Sequence, residues 1–238
     1  MIRVRDLVTT ARGYVRPFGR VWVLPGLSGA LLALLTIVVV VTGHLGSLDA
    51  WVIEHFTPVP VSGPVHATVT ALSATAGAGV GIVLIMLLGL VLAVRRRDLL
   101  PLLVTSTATF LLVAGVYIGK WAVGRARPVT NLPIDPEPAF PSGHSTTSVV
   151  MVGCLLLLLG AGWSTARRRA TLILLACYPA VIGVCRLYLG LHWMSDVLAG
   201  WLLGVTIIGI VAALFGPPRK LAEDPETLPS ADLGARSV

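Results

Sequence analysis

Six apolar runs, each at or near the length needed to cross a lipid bilayer as a helix, dominate the chain. They cover residues 22–42, 72–94, 99–119, 145–163, 170–185 and 193–215. The fifth run is short for a span and is expected to extend through Arg186, and the second can begin near Val65 because Pro64 suits a first helical turn. None of the runs alternates as the strands of a membrane barrel do. We therefore predict an all-α fold, an integral membrane bundle of six transmembrane helices.

The composition excludes the water-soluble classes of protein. Hydrophobic residues make up 55% of the 238 residues and charged residues only 12%, about half the charge of an ordinary soluble domain. A disordered chain, a secreted disulfide scaffold and a cytosolic enzyme all need more polar surface than this sequence has. The chain is therefore expected to have the bilayer as its solvent.

The positions of the basic residues predict the orientation of the bundle. Fourteen of the 18 Lys and Arg residues lie before the first run, between the second and third, between the fourth and fifth, or after the sixth. Basic loops stay on the cytoplasmic side. Both termini are therefore expected in the cytoplasm, with the first, third and fifth loops on the outer face. The net charge of +7 is then a topology signal, and no nucleic-acid partner is expected.

The sequence divides into three parts. Residues 1–20 form a basic segment, expected to be cytoplasmic, and residues 21–216 hold the six spans. The first run is too long for the apolar core of a cleaved signal peptide, so it is predicted to remain as a helix. Residues 217–238 are rich in Pro, Glu, Asp and Ser, and we predict a disordered cytoplasmic tail.

The basic residues outside the cytoplasmic segments need another explanation, because charge beside a membrane span is costly. They lie in two loops on the predicted outer face, together with a Pro-Ser-Gly-His segment and a His-x-x-x-Asp segment. The residues concerned are Lys120, Arg125, Arg127, Pro141, Ser142, Gly143, His144, Arg186, His192 and Asp196. All of these segments are predicted to meet at one end of the bundle.

Their chemistry suits a phosphate group. Arginine offers a planar fork to phosphate oxygens and lysine a compact charge. Residues 141–144 open a predicted helix, whose free N–H groups attract an anion. Gly143 permits close approach of the backbone, and the Ser142 hydroxyl can donate a further hydrogen bond.

Two histidines complete the set. His192 and Asp196 are four residues apart, which would make them neighbours on one helical face. A carboxylate there can keep one imidazole nitrogen protonated and leave the other as a nucleophile. His144 can protonate a leaving oxygen. The combination predicts phosphoryl transfer without a metal.

In these residues the sequence resembles the type-2 phosphatidic acid phosphatase superfamily, whose signature joins the motifs K-x6-R-P, P-S-G-H and S-R-x5-H-x3-D. Here they run from Lys120 to Arg127-Pro128, from Pro141 to His144, and through Arg186, His192 and Asp196. The motifs cover residues 120–196, and the six-span layout extends the resemblance to about 20–216. One position differs, since Cys185 stands where the family usually has serine, which weakens one minor phosphate contact.

The resemblance implies a role for each matched residue. His192 would be the nucleophile, Asp196 its partner and His144 the acid. The phosphate group would be held by Lys120, Arg127, Ser142, Gly143 and Arg186. No cofactor and no metal are implied.

The resemblance also implies the substrate, a membrane lipid phosphate or pyrophosphate hydrolysed at the outer face of the cytoplasmic membrane. Candidates are a polyprenyl pyrophosphate, phosphatidic acid and phosphatidylglycerophosphate. An outward-facing site suits the recycling of a carrier lipid, so the polyprenyl pyrophosphate is favoured.

Other classes explain less of the sequence. A transporter of anionic lipid would keep polar residues near mid-bilayer, in related halves, and a structural membrane protein would not need the matched motifs. A phosphotransferase differs only in its acceptor and stays open. The family's soluble vanadate-binding oxidases do not fit six spans. Five more polar residues near the first outer loop match no metal motif and are interpreted as interfacial packing: His44, Asp49, Glu54, His55 and His66.

Overall fold

The structure, a computed structural model, describes residues 22–43, 46–57, 63–128, 137–160 and 163–216. The predicted N-terminal segment 1–20 and tail 217–238 lie outside the described residues, as does His44. Every regular element in the described ranges is a helix. They are α1 (Val23–Thr42), α2 (Gly46–Phe56), α3 (Pro64–Ala74), α4 (Ala78–Arg96), α5 (Leu100–Val123), α6 (Gly143–Leu159), α7 (Thr165–Tyr188) and α8 (Met194–Phe215).

The prediction of an all-helical membrane bundle is confirmed. Among the described residues five helices, α1, α4, α5, α7 and α8, are long and apolar enough to span a bilayer. The remaining predicted span is α6, whose 17 residues give a length of about 25 Å, a little short of the hydrocarbon core. The count of six spans therefore stays a prediction.

The helices pack around α6 and α8. Helix α8 lies against α6, α1 and α5, and α4 pairs with α5 and α6. Their shared core is built from Ile85, Val104, Ala108, Leu112, Val150, Cys154, Leu158, Ile207 and Val211. Large apolar side chains also cover the outside, where Phe110 is 71% exposed and Val41 77%. Apolar surface on this scale suits contact with lipid.

The predicted bounds of the second span, and its continuity, are wrong. It was expected to begin at residue 72 or near Val65 and to run on without a break, whereas the chain forms α3, turns, and starts again as α4 at Ala78. The Thr75 hydroxyl donates to the Leu72 carbonyl at 2.6 Å, and Gly77 is extended, with φ −62° and ψ 153°. The small residues here offer little apolar surface to hold a helix together, and glycine lowers helix propensity.

Two further helix boundaries change the environment of the site. Helix α5 continues four residues beyond the predicted end at residue 119, so Lys120 lies in its last turn instead of in a loop. Helix α8 begins at Met194, so His192 precedes the helix. The expectation that His192 and Asp196 share one helical face is therefore wrong, although their side chains do meet.

Candidate active site

Three predicted phosphate-binding cations converge on one cavity of about 290 Å³. Lys120 comes from the last turn of α5, Arg186 from the last turn of α7, and Arg127 from the segment that follows α5. Lys120 and Arg186 are only 8% and 6% exposed. Cations at the C-terminal turn of a helix are stabilised by its dipole. The cavity therefore has a strongly positive end.

A carboxylate also faces this end. The Lys120 ammonium donates to Glu137 Oε2 at 2.7 Å and to the Pro138 carbonyl at 2.9 Å. The Glu137 side chain is 52% exposed, and it lines the same cavity. A phosphate that binds Lys120 must compete with Glu137.

The Pro-Ser-Gly-His segment opens α6, as predicted. Ser142 is the N-cap residue, and its hydroxyl accepts from the Ser145 amide at 3.4 Å and from the Ser145 hydroxyl at 3.1 Å. Ser142 is fully buried behind the cavity, while Gly143 and His144 line it. The predicted contact of the Ser142 hydroxyl with phosphate stays a prediction.

His192 lies at the positive end, buried to 2% exposure in the turn between α7 and α8. Its Nδ1 atom is 3.5 Å from Asp196 Oδ2, and its Nε2 atom is 3.2 Å from Arg127 Nη1. A guanidinium can only donate, so Nε2 must accept and the proton belongs on Nδ1, facing Asp196. The nucleophile expected from the sequence therefore has its lone pair on the cavity side.

The surroundings of His192 also keep the ring uncharged. Burial lowers the pKa of His192 well below its ordinary value of 6.5, and the charges of Arg186, Arg127 and Lys120 lower it further. A neutral imidazole has the free electron pair that attack on phosphorus requires.

The rest of the cavity is apolar and runs between α4 and α5. Leu112 lies two turns before Lys120 on α5, which places it about 12 Å further along that helix. The lining here consists of Ala78, Ile82, Leu112, Val113, Val116, Tyr117 and Thr147. A charged end joined to an apolar groove between membrane helices matches the shape of an amphiphile.

A second cavity of about 350 Å³ adjoins the first. It lies beside α3 and shares His144 and Arg186 with the first cavity. The Arg186 guanidinium also donates to the Ser73 hydroxyl of α3 at 3.1 Å. The described residues contain no group of three or more His, Cys, Asp or Glu side chains able to hold a metal ion.

Sequence reasoning missed three polar residues next to the site. Arg125 had no assigned role and Asp49 was interpreted as interfacial packing, yet both are buried, and with Ser195 they surround Asp196. Asp49 and Arg125 are 76 residues apart in the chain. No local spacing pattern indicates such a pair, and both residues lie outside the six apolar runs.

Comparison with known proteins identifies relatives of this chain. Over 116 residues the chain is 28% identical to a protein of Sulfolobus acidocaldarius named undecaprenyl-diphosphatase, a match that covers 44% of this chain and 52% of that protein. Over 87 residues it is 38% identical to an uncharacterized 22.5 kDa protein of the Klebsiella pneumoniae cps region, covering 37% and 40%. The matched segments thus span about half the length of these relatives, or less.

The fold has a solved counterpart. The crystal structure of a transmembrane PAP2-type phosphatidylglycerolphosphate phosphatase from Bacillus subtilis superimposes with a TM-score of 0.66 and 21% identity. The alignment covers 79% of this chain and 94% of that one. A family model described as the PAP2 superfamily matches residues 98–219, which contain all three motifs. The resemblance seen in the sequence is therefore confirmed, and the chain belongs to the PAP2 superfamily.

Proposed function

We propose that this protein hydrolyses a membrane lipid phosphate or diphosphate through a phosphohistidine on His192. The observation that carries the proposal is the cavity itself, in which three cations and two histidines stand at one end of an apolar groove. The head group would lie among Lys120, Arg127 and Arg186, with the hydrocarbon chain between α4 and α5.

The reaction proceeds in two steps. His192 Nε2 attacks phosphorus as the bond to the lipid oxygen breaks, and His144 gives that oxygen its proton. Water then attacks the phosphohistidine, His144 takes the proton from the water, and inorganic phosphate leaves. Arg127, which donates to Nε2, must transfer this hydrogen bond to the phosphate before attack.

The catalysis is metal-independent in this proposal. Lys120, Arg127 and Arg186, with the N-terminus of α6, offset the charge on the phosphoryl oxygens, a task that metal ions perform in many phosphoryl-transfer enzymes. Helix N-termini stabilise anions through their free N–H groups. Phosphate release should therefore continue in excess EDTA and should be inhibited by vanadate.

A polyprenyl diphosphate is the favoured substrate. The Sulfolobus relative named undecaprenyl-diphosphatase supports this class, and the long apolar groove between α4 and α5 suits a polyprenyl chain. The site would face the outer side of the cytoplasmic membrane, with both termini inside, because 14 of the 18 basic residues fall in the opposite loops. A periplasm-only reporter should then be active when fused after Pro136 and inactive after Arg168.

The test is a phosphate-release panel. Purified protein in detergent is given polyprenyl diphosphate, phosphatidic acid or phosphatidylglycerophosphate, each with EDTA, and His192→Ala protein serves as the control for contaminating phosphatases. We expect phosphate release from each of the three lipids, and the fastest release from the polyprenyl diphosphate. Failure of every lipid, or activity that depends on added Mg²⁺, would contradict the proposal.

A further inference from the structure

A buried ion network lies beside His192 and joins Asp196 to Arg125 and Asp49, two residues to which the sequence motifs assign no role. Arg125 donates from Nη1 to Asp196 Oδ1 at 2.6 Å and from Nη2 to Asp49 Oδ2 at 2.8 Å. Asp49 and Asp196 are 0% exposed and Arg125 is 9% exposed. Two negative side chains and one positive side chain are thus shielded from solvent beside the site.

The network fixes the direction of the Asp196 carboxylate. Oδ1 is held by Arg125, while Oδ2 accepts the Trp193 amide at 2.9 Å and faces His192 Nδ1 at 3.5 Å. Without the guanidinium, rotation about the Cβ–Cγ bond would be limited by a single backbone hydrogen bond. A carboxylate held at this position can orient the imidazole once Nδ1 and Oδ2 come within hydrogen-bond distance.

Asp49 secures the other side of the guanidinium. It accepts from the Ser195 amide at 2.9 Å and from the Ser195 hydroxyl at 2.6 Å, and so joins α2 to the first turn of α8. That hydroxyl accepts from Arg125 Nη1 at 2.6 Å. The Trp193 ring covers Arg125, with 5.2 Å between the guanidinium carbon and the ring centroid. Both terminal nitrogens of the guanidinium are therefore held, Nη1 by Asp196 and Ser195 and Nη2 by Asp49.

Within the network, the Arg125 guanidinium favours the ionised form of Asp196. A carboxylate with no exposed surface is stabilised in its charged form only by close partners, and Arg125 is the cation in contact with it. His192 gains positive charge as its Nε2 atom bonds to phosphorus, and a charged Asp196 stabilises that ring. Arg125 lies on the far side of Asp196 from the ring, so it can act on the nucleophile only through Asp196.

We propose that Arg125, anchored by Asp49, is a positioning residue that orients and charges Asp196 for the attack by His192. This inference rests on the proposed function. Arg125 does not line the cavity where the phosphate would bind, so its removal should lower kcat and leave KM unchanged. Arg127, two residues along the chain, lines that cavity, so its removal should raise KM as well as lower kcat.

The test is a double-mutant cycle between Arg125 and Asp196. Arg125→Lys and Arg125→Gln are made in the wild-type protein and in Asp196→Asn protein, and phosphate release is measured for each. Arg125→Lys keeps the charge but lacks the planar fork that bridges two carboxylates, so kcat should fall roughly tenfold with KM unchanged. In the Asp196→Asn background the same change should cost less than about twofold.

A structural role would give a different pattern. Arg96→Gln is the matched control, because Arg96 also joins two helices by donating to the Leu158 carbonyl at 2.9 Å. Arg96 lies at the end of α4 that is away from the cavity. If Arg125→Gln leaves two buried carboxylates unpaired and fails to fold, Asp49→Asn with Arg125→Gln removes one of them and should fold with reduced kcat. The folded fraction of each variant is measured by thermal unfolding in detergent, so that kcat refers to folded protein only.

The kinetic outcomes distinguish a positioning role of Arg125 from a structural one, and from failure of the proposed function. Loss of kcat that nearly vanishes in the Asp196→Asn background supports the inference, whereas equal losses in both backgrounds, or a rise in KM alone, would overturn it. Failure of the proposed function would appear earlier, as unmodified protein that releases no phosphate from any lipid in the panel.

Discussion

Replacing Gly200 by alanine should displace the start of α6 and so lower the activity. Gly200 lies on α8 where that helix crosses the start of α6, and a Cβ atom there would lie 2.6 Å from the Ser142 carbonyl oxygen and 2.8 Å from Ser145 Cβ. The Ser142 amide also donates to the Asp196 carbonyl at 3.0 Å across this contact. The two segments that carry the catalytic groups are thus joined where only glycine fits.

The size of the effect follows from the distances. Ordinary contacts of a Cβ atom begin near 3.4 Å, so the start of α6 must move by about 0.8 Å, a figure of the order at which misplacement costs about a hundredfold in rate. The nearest atom belongs to the backbone, so Gly143 and His144 move with it. We expect kcat to fall between about 10-fold and 100-fold and the free energy of unfolding by about 1–3 kcal/mol.

The assay compares steady-state phosphate release with thermal unfolding in detergent. Gly153→Ala is the control: it lies at the same α6–α8 interface, but its Cβ would meet the Ile208 side chain instead of backbone, and it lies nine residues beyond His144. This variant should lose stability and keep most of its kcat. If Gly200→Ala retained activity within about twofold, or both variants lost activity equally, the contact would not position the site.

Three further results are expected. Because burial and three neighbouring cations lower the pKa of His192 below 6.5, the ring stays neutral as the pH falls through that value. The acid limb of the pH profile of kcat/KM should therefore lie below pH 6.5, and a midpoint above pH 6.5 would contradict this reasoning. Glu137→Gln removes the ion pair between buried Lys120 and the half-exposed Glu137 carboxylate, so the inhibition constant of inorganic phosphate should fall by up to about fivefold. An unchanged inhibition constant would show that Glu137 does not compete with phosphate for Lys120. Ile82→Trp should raise KM for long-chain lipids and not for a soluble phosphate ester, with the lipid-facing Phe110→Trp as a control; equal effects on both substrates would place the chain elsewhere.

Much of this architecture was predictable because two of its constraints are local. The bilayer sets the length of apolar runs, so most spans were located to within a few residues, and the phosphate chemistry needs particular residues at short spacings. Lys120, Arg127, Gly143, His144, Arg186 and His192 do line one cavity.

The remainder depends on contacts between distant parts of the chain. The pairing of Asp49 with Arg125 joins α2 to a loop 76 residues away, and no periodicity in the sequence reports such a pair. The break between α3 and α4 lies between Ala74 and Ala78, where the lower helix propensity of one threonine and one glycine is too small an effect to predict it without packing. Gly200 and Gly204 are four residues apart in the sequence, but only the structure identifies Ser142 as the neighbour of Gly200.

The most direct test of the proposed function is the identity of the phosphorylated residue. Substrate with a ³²P-labelled terminal phosphate is mixed with the protein, quenched rapidly, and the labelled protein is treated with acid and with base. Wild-type protein should carry a label that is lost in acid and survives base, as a phosphohistidine does, and His192→Ala protein should carry none. An acid-stable label, or full labelling of the His192→Ala protein, would show that His192 is not the nucleophile.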